Sequence, residues 1–328
     1  MQNILVVGGA GYIGSHTVNQ LLKQGYQVTV VDDLSTGSRM ALSDKVNFYQ
    51  VDILNLPELR EVFKKHSFHA VFHFAAKLNV PESFQKHFQY FDINVVGTRN
   101  ILQMCQEFKT DNFVFSSTAA VYGDVHTSSV KETDDLLPQN PYGMTKKMAE
   151  ILVQNQGLVQ SGFKFQILRY FNVAGAELDN SNGPRNLDSG QLILNLCKSS
   201  LNGKSIHVYG TDYKTKDGTA IRDFIHVVDL AEAHIEAYKC LKLNKPSGIW
   251  NCGYGQGYTV LEVIKAFEQV NGINFNIKYE APRLGDPTAV VANNERIMQQ
   301  SQWRPKYNDI NVICRSAYEW IVRESKRS

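Results

Sequence analysis

The N-terminal half of the chain alternates short β-branched, apolar runs with longer segments that are apolar on one helical face. The apolar runs predict strands at residues 4–7, 28–31, 46–50, 70–74, 113–115 and 165–168. The longer segments predict helices from residue 13 to Gly25 and at residues 57–65, 94–108 and 142–160. Strands that alternate with helices in this way form parallel sheets. We therefore expect an α/β fold with a Rossmann-type, doubly wound parallel sheet.

The pattern becomes looser after residue 172. Residues 179–190 are rich in Asn, Ser, Gly, Pro and Asp, which indicates a long surface loop of the kind that carries function. Helices are predicted at residues 192–201 and 228–241, and strands at residues 206–209 and 224–227. Thr259 and Glu262 fit a capping box that opens a further helix.

The two halves predict two regions. We expect a Rossmann domain from residues 1–172 plus about 222–252, because the strand and helix at 224–241 look like a return to the first layer. We expect a smaller, mainly C-terminal substrate-binding region from about 173–221 plus 253–328. It would pack over the carboxyl edge of the sheet, where ligands bind in open α/β folds.

A glycine motif stands between the first predicted strand and the first helix. Gly8, Gly11 and Gly14 would allow a tight turn, a close approach to a pyrophosphate and close packing of the helix on the strand. Asp32 ends the second strand, where it can bind a ribose 2′-hydroxyl and would repel a 2′-phosphate. The motif therefore predicts NAD, in preference to NADP, as the cofactor.

Tyr142 and Lys146 form the candidate catalytic pair. They lie one turn apart on a helix that Pro141 opens, and so share one helical face. A free tyrosine titrates near pH ~10, and a neighbouring ammonium favours its phenolate form. Thr118, at the end of the strand upstream, is placed to hydrogen-bond a substrate hydroxyl.

Composition and charge exclude several classes of binding partner. The formal charge of the 328-residue chain is only +2, which argues against attraction to nucleic acid or membranes as its main role. No apolar run approaches the roughly 18 residues of a membrane helix, and the early first strand leaves no room for a signal peptide. The five cysteines are scattered singly and the nine histidines show no ligand spacing. We therefore expect a cytoplasmic protein without disulfides or a bound metal.

The motif Gly8-x-x-Gly11-x-x-Gly14, with Thr118 and Tyr142-x-x-x-Lys146, resembles the extended short-chain dehydrogenases/reductases. Longer stretches are similar to the UDP-galactose (UDP-glucose) 4-epimerase family: residues 8–16, 116–123, 169–172, 217–227 and 282–286. The resemblance covers nearly the whole chain. It implies a homodimeric NAD-dependent isomerase of UDP-hexoses that dimerises through helices near 94–108 and 142–160.

The resemblance also implies the site residues. The expected NAD contacts, besides the three glycines, are Tyr12, Ile13, Asp32, Asp52, Ile53, Phe74, Ala75, Asn94, Tyr142 and Lys146. The expected nucleotide-sugar contacts are Thr118, Tyr142, Asn172, Gln191, Arg222, Arg283, Asp286 and Val290. Two arginines suit a diphosphate, because a guanidinium is always charged and binds bidentately.

The implied mechanism is oxidation at C4 followed by reduction from the other face. Tyr142 as phenolate takes the proton of the hexose 4-hydroxyl while C4 passes hydride to NAD⁺. Lys146 lowers the tyrosine pKa and holds the nicotinamide ribose. The 4-keto sugar turns over while its UDP stays anchored, and it is then reduced again.

The chain departs from the family pattern at three positions. Lys77 stands one residue before the place where the family often has a lysine beside the nicotinamide, and its role stays open. Gln191 replaces an Asn or His of the uridine pocket. Val290 is small where some members have tyrosine, which favours a UDP-N-acetylglucosamine 4-epimerase or a dual-specificity enzyme as an alternative.

Other activities of the same fold fit less well. A 4,6-dehydratase needs an acidic pair directly after the active-site threonine, and Ala119 and Ala120 stand there. An enzyme acting on UDP-glucuronate would need groups for a C6 carboxylate, which the sequence does not place. A non-catalytic NAD-sensing protein would typically lack the tyrosine or the lysine. The preferred sugar, the physiological direction and the pathway stay open.

Overall fold

The computed structural model describes residues 2–124, 129–186, 190–283 and 286–327. The strands are β1 Asn3–Val7, β2 Gln27–Asp32, β3 Asn47–Gln50, β4 Ala70–His73, β5 Asn112–Thr118, β6 Lys164–Tyr170, β7 Asn172–Ala174, β8 Ile206–Tyr209, β9 Ile221–His226, β10 Gly248–Cys252, β11 Gly257–Thr259, β12 Ile277–Glu280 and β13 Ala289–Val290. The α-helices are α1 Tyr12–Lys23, α2 Leu56–Lys65, α3 Val80–Gln85, α4 His87–Phe91, α5 Thr98–Glu107, α6 Pro141–Val159, α7 Leu192–Asn202, α8 Val227–Lys242, α9 Val260–Asn271, α10 Glu295–Gln300 and α11 Ile310–Ser325.

A seven-stranded sheet in the order β3-β2-β1-β4-β5-β6-β10 forms the centre of the first region, and every pairing in it is parallel. Successive side chains of β1 enter opposite cores: Ile4 and Val6 pack with α1 and α8, and Leu5 and Val7 with α2, α5 and α6. Because both faces are covered, the strands read as continuous apolar runs. The expected Rossmann-type doubly wound sheet is confirmed.

A small mixed sheet lies outside this layer. Its central strand β9 pairs with β7 and β13 in parallel and with β11 in antiparallel orientation. The expectation that the strand near residue 224 returns to the first layer is therefore wrong, although α8, which follows it, does pack on α1. The buried Asp223 carboxylate explains the location of β9, because it accepts the backbone N–H groups of Tyr254, Gly255 and Ala292. The division of the chain into two domains stays a prediction.

A third core joins the remaining C-terminal elements, with side chains of α7, α9 and α11 packed on β8. The expected capping box is confirmed: Thr259 Oγ1 accepts from Glu262 N at 3.2 Å, and Glu262 Oε2 accepts from Thr259 N at 2.9 Å. In the described ranges, none of the helices combines the length and apolar character that a membrane span requires.

The helix expected at residues 94–108 begins differently. Residues Asp92–Gly97 form a π-helical segment that leads into α5. A methyl group on Gly97 would lie 2.3 Å from Ile53 Cδ1, so the absence of a side chain lets this segment pack on Ile53. π-Helical turns have no sequence signature as clear as apolar periodicity, and they are frequent at functional sites.

Candidate active site

The glycine turn between β1 and α1 forms a narrow cradle. Gly8 has φ +78°, and a Cβ there would lie 2.4 Å from Ala75 N. A Cβ on Gly14 would lie 2.2 Å from the Gly8 carbonyl oxygen. Gly11 is different, since its φ of −74° suits any residue and, among the described residues, a Cβ would meet only Gly8 O, at 3.3 Å. The chain itself therefore requires Gly8 and Gly14, whereas Gly11 leaves space beside the turn for a ligand.

A cavity of about 570 Å³ lies against this cradle. Of the predicted residues it is lined by Gly8, Gly11, Tyr12, Ile13, Gly14, Asp32, Ile53, Phe74, Ala75 and Gln191. Its volume and its position at the carboxyl edge of the sheet are those of a cofactor site. Ten residues that the sequence singles out thus lie around one cavity, and their contact with a ligand stays a prediction.

Asp32 is held in place at the end of β2. Its Oδ2 accepts from Ala10 N and its Oδ1 from Leu34 N, each at 2.9 Å. Burial raises the pKa of the carboxyl, and the backbone hydrogen bonds oppose that rise. Each carboxylate oxygen has further acceptor capacity, so the group can also bind a ribose hydroxyl.

The far end of the predicted cofactor set is less enclosed. Ile53 is buried and lines the cavity, whereas Asp52 is exposed, and its Oδ1 accepts from Leu54 N at 2.8 Å. Asp52 is not among the lining residues of the cavity. Its expected contact with the cofactor therefore stays a prediction.

Asn94 braces the cavity wall from behind. It is 1% exposed, and its side chain accepts from Lys77 N at 2.8 Å and donates to Lys77 O at 3.0 Å. It also donates to Thr145 Oγ1, which in turn donates to Tyr142 O. Lys77 itself lines the cavity. Asn94 thus connects the cofactor wall to the helix that carries Tyr142.

Tyr142 and Thr118 lie together, as the sequence predicts. Both are 8% exposed, and a side-chain hydrogen bond joins them. Burial raises the pKa of Tyr142, while the bond to Thr118 opposes that rise. In the chain alone, the desolvation of a buried phenolate exceeds the favourable contacts, and the lowering of this pKa by Lys146 and bound NAD stays a prediction. Tyr170 lines the cavity nearby, and its hydroxyl lies 2.8 Å from Ser116 Oγ.

Lys146 follows Tyr142 by one turn on α6. Its side chain is buried, with Nζ 4.3 Å from the centre of the Phe115 ring. Burial lowers its pKa to about 7, and the charge of Glu150 opposes the fall. Lys146 therefore changes protonation near neutral pH, which is typical of functional lysines.

The small sheet carries three of the predicted nucleotide-sugar contacts on neighbouring strands. Arg222 on β9 stands opposite Val290 on β13, and Asn172 on β7 is in register with Phe224 on β9. Arg222 forms an ion pair with Asp286 and donates to Ile221 O at 2.8 Å. Strand register thus places Asn172, Arg222 and Val290 on neighbouring strands, and an ion pair adds Asp286.

Arg283 stacks on an aromatic ring in the same area. Its guanidinium carbon lies 3.9 Å from the centre of the Tyr209 ring. The stretch 282–286 is only partly described, since residues 284–285 fall outside the described residues. Arg283 and Asp286 therefore carry the argument for this stretch.

Gln191 and the loop before it complete the cavity. Gln191 Oε1 is buried and has no hydrogen-bond partner among the described residues, and the residue lines the cavity. Pro184 and Arg185, from the predicted functional loop, also line it. The composition of the loop indicated function but not which residues, and residues 187–189 lie outside the described residues. No cluster of three metal-ligating side chains occurs within the described ranges.

Comparison with known proteins places this geometry in context. Residues 4–253 match the model of the NAD dependent epimerase/dehydratase family. A UDP-glucose 4-epimerase of Lacticaseibacillus casei is 42% identical over 97% of this chain and 96% of its own. A UDP-glucose-4-epimerase from Stenotrophomonas maltophila, solved with bound NAD and formylated UDP-arabinopyranose, has a TM-score of 0.96 at 33% identity over 100% of both chains. A UDP-Glc/GlcNAc 4-epimerase from Campylobacter jejuni has a TM-score of 0.86 at 40% identity, covering 98% of this chain and 100% of that one.

Proposed function

The chain belongs to the NAD-dependent epimerase/dehydratase family, and from this premise we propose how its site works. The protein is an NAD-dependent enzyme that interconverts UDP-galactose and UDP-glucose. The observation that carries this assignment is the match to UDP-glucose 4-epimerases over nearly the full length of both chains.

The residues present fit NAD. The cradle of Gly8 and Gly14 leaves room at Gly11 for a pyrophosphate, and the N-terminal amides of α1 face it. Asp32 has acceptor capacity for an adenosine ribose. Ile53, Phe74 and Ala75 supply apolar walls. When bound, NAD supplies the acceptor of the C4 hydride and later its donor, and its positive nicotinamide ring favours a phenolate at Tyr142.

The catalytic steps assigned to this chain are proton transfers and binding. Tyr142, as phenolate, takes the proton of the hexose 4-hydroxyl, and Thr118 orients that hydroxyl through its own hydroxyl group. Lys146 in its charged form stabilises the phenolate. Arg222 and Arg283 hold the diphosphate while the 4-keto sugar turns over. Tyr142 then returns the proton, so the reaction needs no external acid or base.

A single incubation tests this function. Purified protein without added cofactor is mixed with UDP-galactose, and the products are read by NMR. Appearance of UDP-glucose is expected, because NAD is regenerated in each cycle and stays bound. If the sugar remained unchanged even after NAD was added, the 4-epimerase assignment would be wrong, and UDP-glucuronate would be tested next.

A wider sugar range is the second candidate. Val290 is 8% exposed and packs in one cluster with Val121, Tyr122 and Phe171. A valine there leaves more room than the tyrosine of some relatives, and the similar Campylobacter jejuni protein is a UDP-Glc/GlcNAc 4-epimerase. We therefore propose that UDP-N-acetylgalactosamine is also epimerised. Fast turnover of UDP-galactose with none of the acetamido sugar would exclude this.

We also propose that the protein is a homodimer. Helix α6 exposes one file of side chains on the face opposite Lys146, and most of them are apolar: Met144, Met148, Ile151, Asn155 and Leu158. Met148 and Ile151 are 39% and 53% exposed. A contiguous apolar file on a surface helix is typical of helix–helix interfaces.

The cytoplasm is the proposed location. All five cysteines are buried and form no disulfide, as is usual in a reducing compartment. Fractionation of cells that express the protein would test this.

A further inference from the structure

A buried carboxylate lies directly behind the catalytic pair. Glu150 follows Tyr142 and Lys146 at one-turn intervals on α6, so the three side chains share one face. Glu150 is 0% exposed. An uncompensated carboxylate in such a place would be strongly destabilising, so its partners indicate why it is there.

Two neighbouring strands supply those partners. Ser117 Oγ on β5 donates to Glu150 Oε1 at 2.5 Å. Arg169 on β6 donates from Nε to Oε1 at 3.0 Å and from Nη2 to Oε2 at 2.6 Å. Ser117 precedes Thr118, so this bond ties the end of β5 to the helix that carries Tyr142.

The titratable groups that act on Lys146 or face it lie on α6 and β4. Glu150 is the acidic group, and its charge raises the pKa of Lys146 against the effect of burial. His73 on β4 is buried, and its pKa is lowered to about 3, so it is uncharged near neutral pH. On β5, the Phe115 ring contributes only its π-face. Arg169 is positive, but its guanidinium is directed at Glu150.

We propose that Glu150 is a positioning residue for the epimerase reaction, because its carboxylate keeps Lys146 charged beside Tyr142 and fixes Thr118 through Ser117. This inference rests on the proposed function. Tyr142 and Lys146 can share one proton in two ways, as phenolate with ammonium or as phenol with amine. The negative charge of Glu150 favours the first arrangement, which is the reactive one.

The test is the substitution Glu150→Gln in the NAD-bound protein. The phenolate of Tyr142 is read from near-ultraviolet absorbance during a pH titration, as the difference between each protein and the same protein carrying Tyr142→Phe. With glutamine, the phenolate signal near neutral pH should fall about tenfold, because one favourable charge interaction is lost. Turnover of UDP-galactose should fall in parallel with little change in KM. An unchanged phenolate signal and pH profile would overturn the proposal.

Two further variants separate charge from structure. Glu132→Gln is the matched control, since Glu132 is a nearly buried carboxylate that faces Arg296 and accepts from Asn251 N. It should leave the signal of Tyr142 unchanged. If Glu150→Gln does not fold with Arg169 left unpaired, the double variant Glu150→Gln, Arg169→Met removes both charges of this ion pair. It should show a smaller loss of phenolate in the same direction, and a wild-type signal would overturn the proposal.

The absorbance readout also separates the two hypotheses. A wild-type protein that does not convert UDP-galactose would contradict the proposed function, whatever Glu150 does. If the wild type converts UDP-galactose and Glu150→Gln leaves the phenolate signal unchanged, only the role of Glu150 would be contradicted.

Discussion

Tyr142 and Lys146 illustrate how a reactive pair opposes stability at the scale of single residues. Burial raises the pKa of the phenol and lowers that of the ammonium to about 7, so burial disfavours the charged form of each group. The reactive state needs both charges at once. Neighbouring groups and the bound cofactor stabilise these charges. Without them, burying the two groups lowers the stability of the fold.

Replacing Tyr142 by phenylalanine removes the proton acceptor with almost no change in shape. Turnover of UDP-galactose should fall by roughly 10²- to 10⁴-fold, the usual contribution of a general base. NAD content and the melting temperature should stay near those of the wild type, because the hydroxyl is bonded mainly to Thr118. Initial rates by NMR check the prediction, and near-normal turnover would rule out the proposed role of the phenol.

Replacing Lys146 by methionine should stabilise the fold in a pH-dependent way. The pKa of the lysine is about 7 in the folded protein and about 10.4 when unfolded, so burying its charge costs a few kcal/mol below pH 7. Between these values the unfolded state binds more protons, and the stability of the wild type rises with pH. The gain from methionine should therefore be largest at pH 6 and shrink towards pH 10.

Urea unfolding of both proteins at pH 6 and pH 9.5 measures that difference. Groups remote from Lys146 titrate alike in both proteins and cancel. A gain that is equal at the two pH values would mean that the lysine does not change protonation in this range. Activity should be lost in the variant, which would make the lysine costly for stability and necessary for function.

The sequence predicted the roles of some site residues and missed those of others, because some roles depend on contacts between distant segments. Gly8, Gly14 and Asp32 belong to one local strand–turn–helix unit, so spacing alone indicates their role. The roles of Glu150 and Arg169 depend on their ion pair, which joins α6 to β6 and which no local sequence pattern encodes. Asn94 acts through Lys77 and Thr145 in the same way.

At the scale of elements, the turn between β1 and α1 contains two glycines with different roles: Gly14 permits packing of α1, and Gly11 leaves space for NAD. Gly14→Ala would place a methyl group 2.2 Å from Gly8 O, so α1 must move from the sheet. We expect a loss of about 1–3 kcal/mol of stability together with loss of NAD. Gly11→Ala meets the same oxygen at 3.3 Å and needs little movement.

Gly11→Ala should therefore keep the stability of the NAD-free protein while it lowers the NAD bound per chain. Urea unfolding of the NAD-free proteins and NAD release on denaturation measure the two effects. Equal stability of the two variants would mean that α1 is not held as closely as the geometry requires. Normal NAD content in Gly11→Ala would mean that the pyrophosphate does not approach this glycine.

The strands and helices of the first half follow their apolar pattern, with ends displaced by a residue or a few. Departures occur where tertiary contacts decide. β9 reads like a buried parallel strand, but the carboxylate of Asp223 fixes it in the small sheet. β10 is short and contains the polar Asn251, which bonds to Val130 and Tyr122, so its apolar signal is weak. The π-helical segment at Asn94 depends on packing against Ile53.

At the scale of the whole molecule, helix α6 has two functional faces. One face carries Tyr142, Lys146 and Glu150 into the first region, and the opposite face exposes Met148 and Ile151. In the proposed homodimer, a partner would cover the second face and hold the helix that positions the first. Assembly and catalysis would then depend on the same element.

Ile151→Arg tests this dependence, because it places a charge at the centre of the exposed file. The wild type should sediment as a dimer at micromolar concentration and the variant as a monomer, since desolvating an unpaired guanidinium opposes association. Turnover should fall by less than about tenfold, through looser placement of Tyr142. Leu243→Arg is the control, since Leu243 is 71% exposed beyond the end of α8 and should leave a dimer. A monomeric wild type, or a dimeric Ile151→Arg variant, would show that this face of α6 does not form the interface.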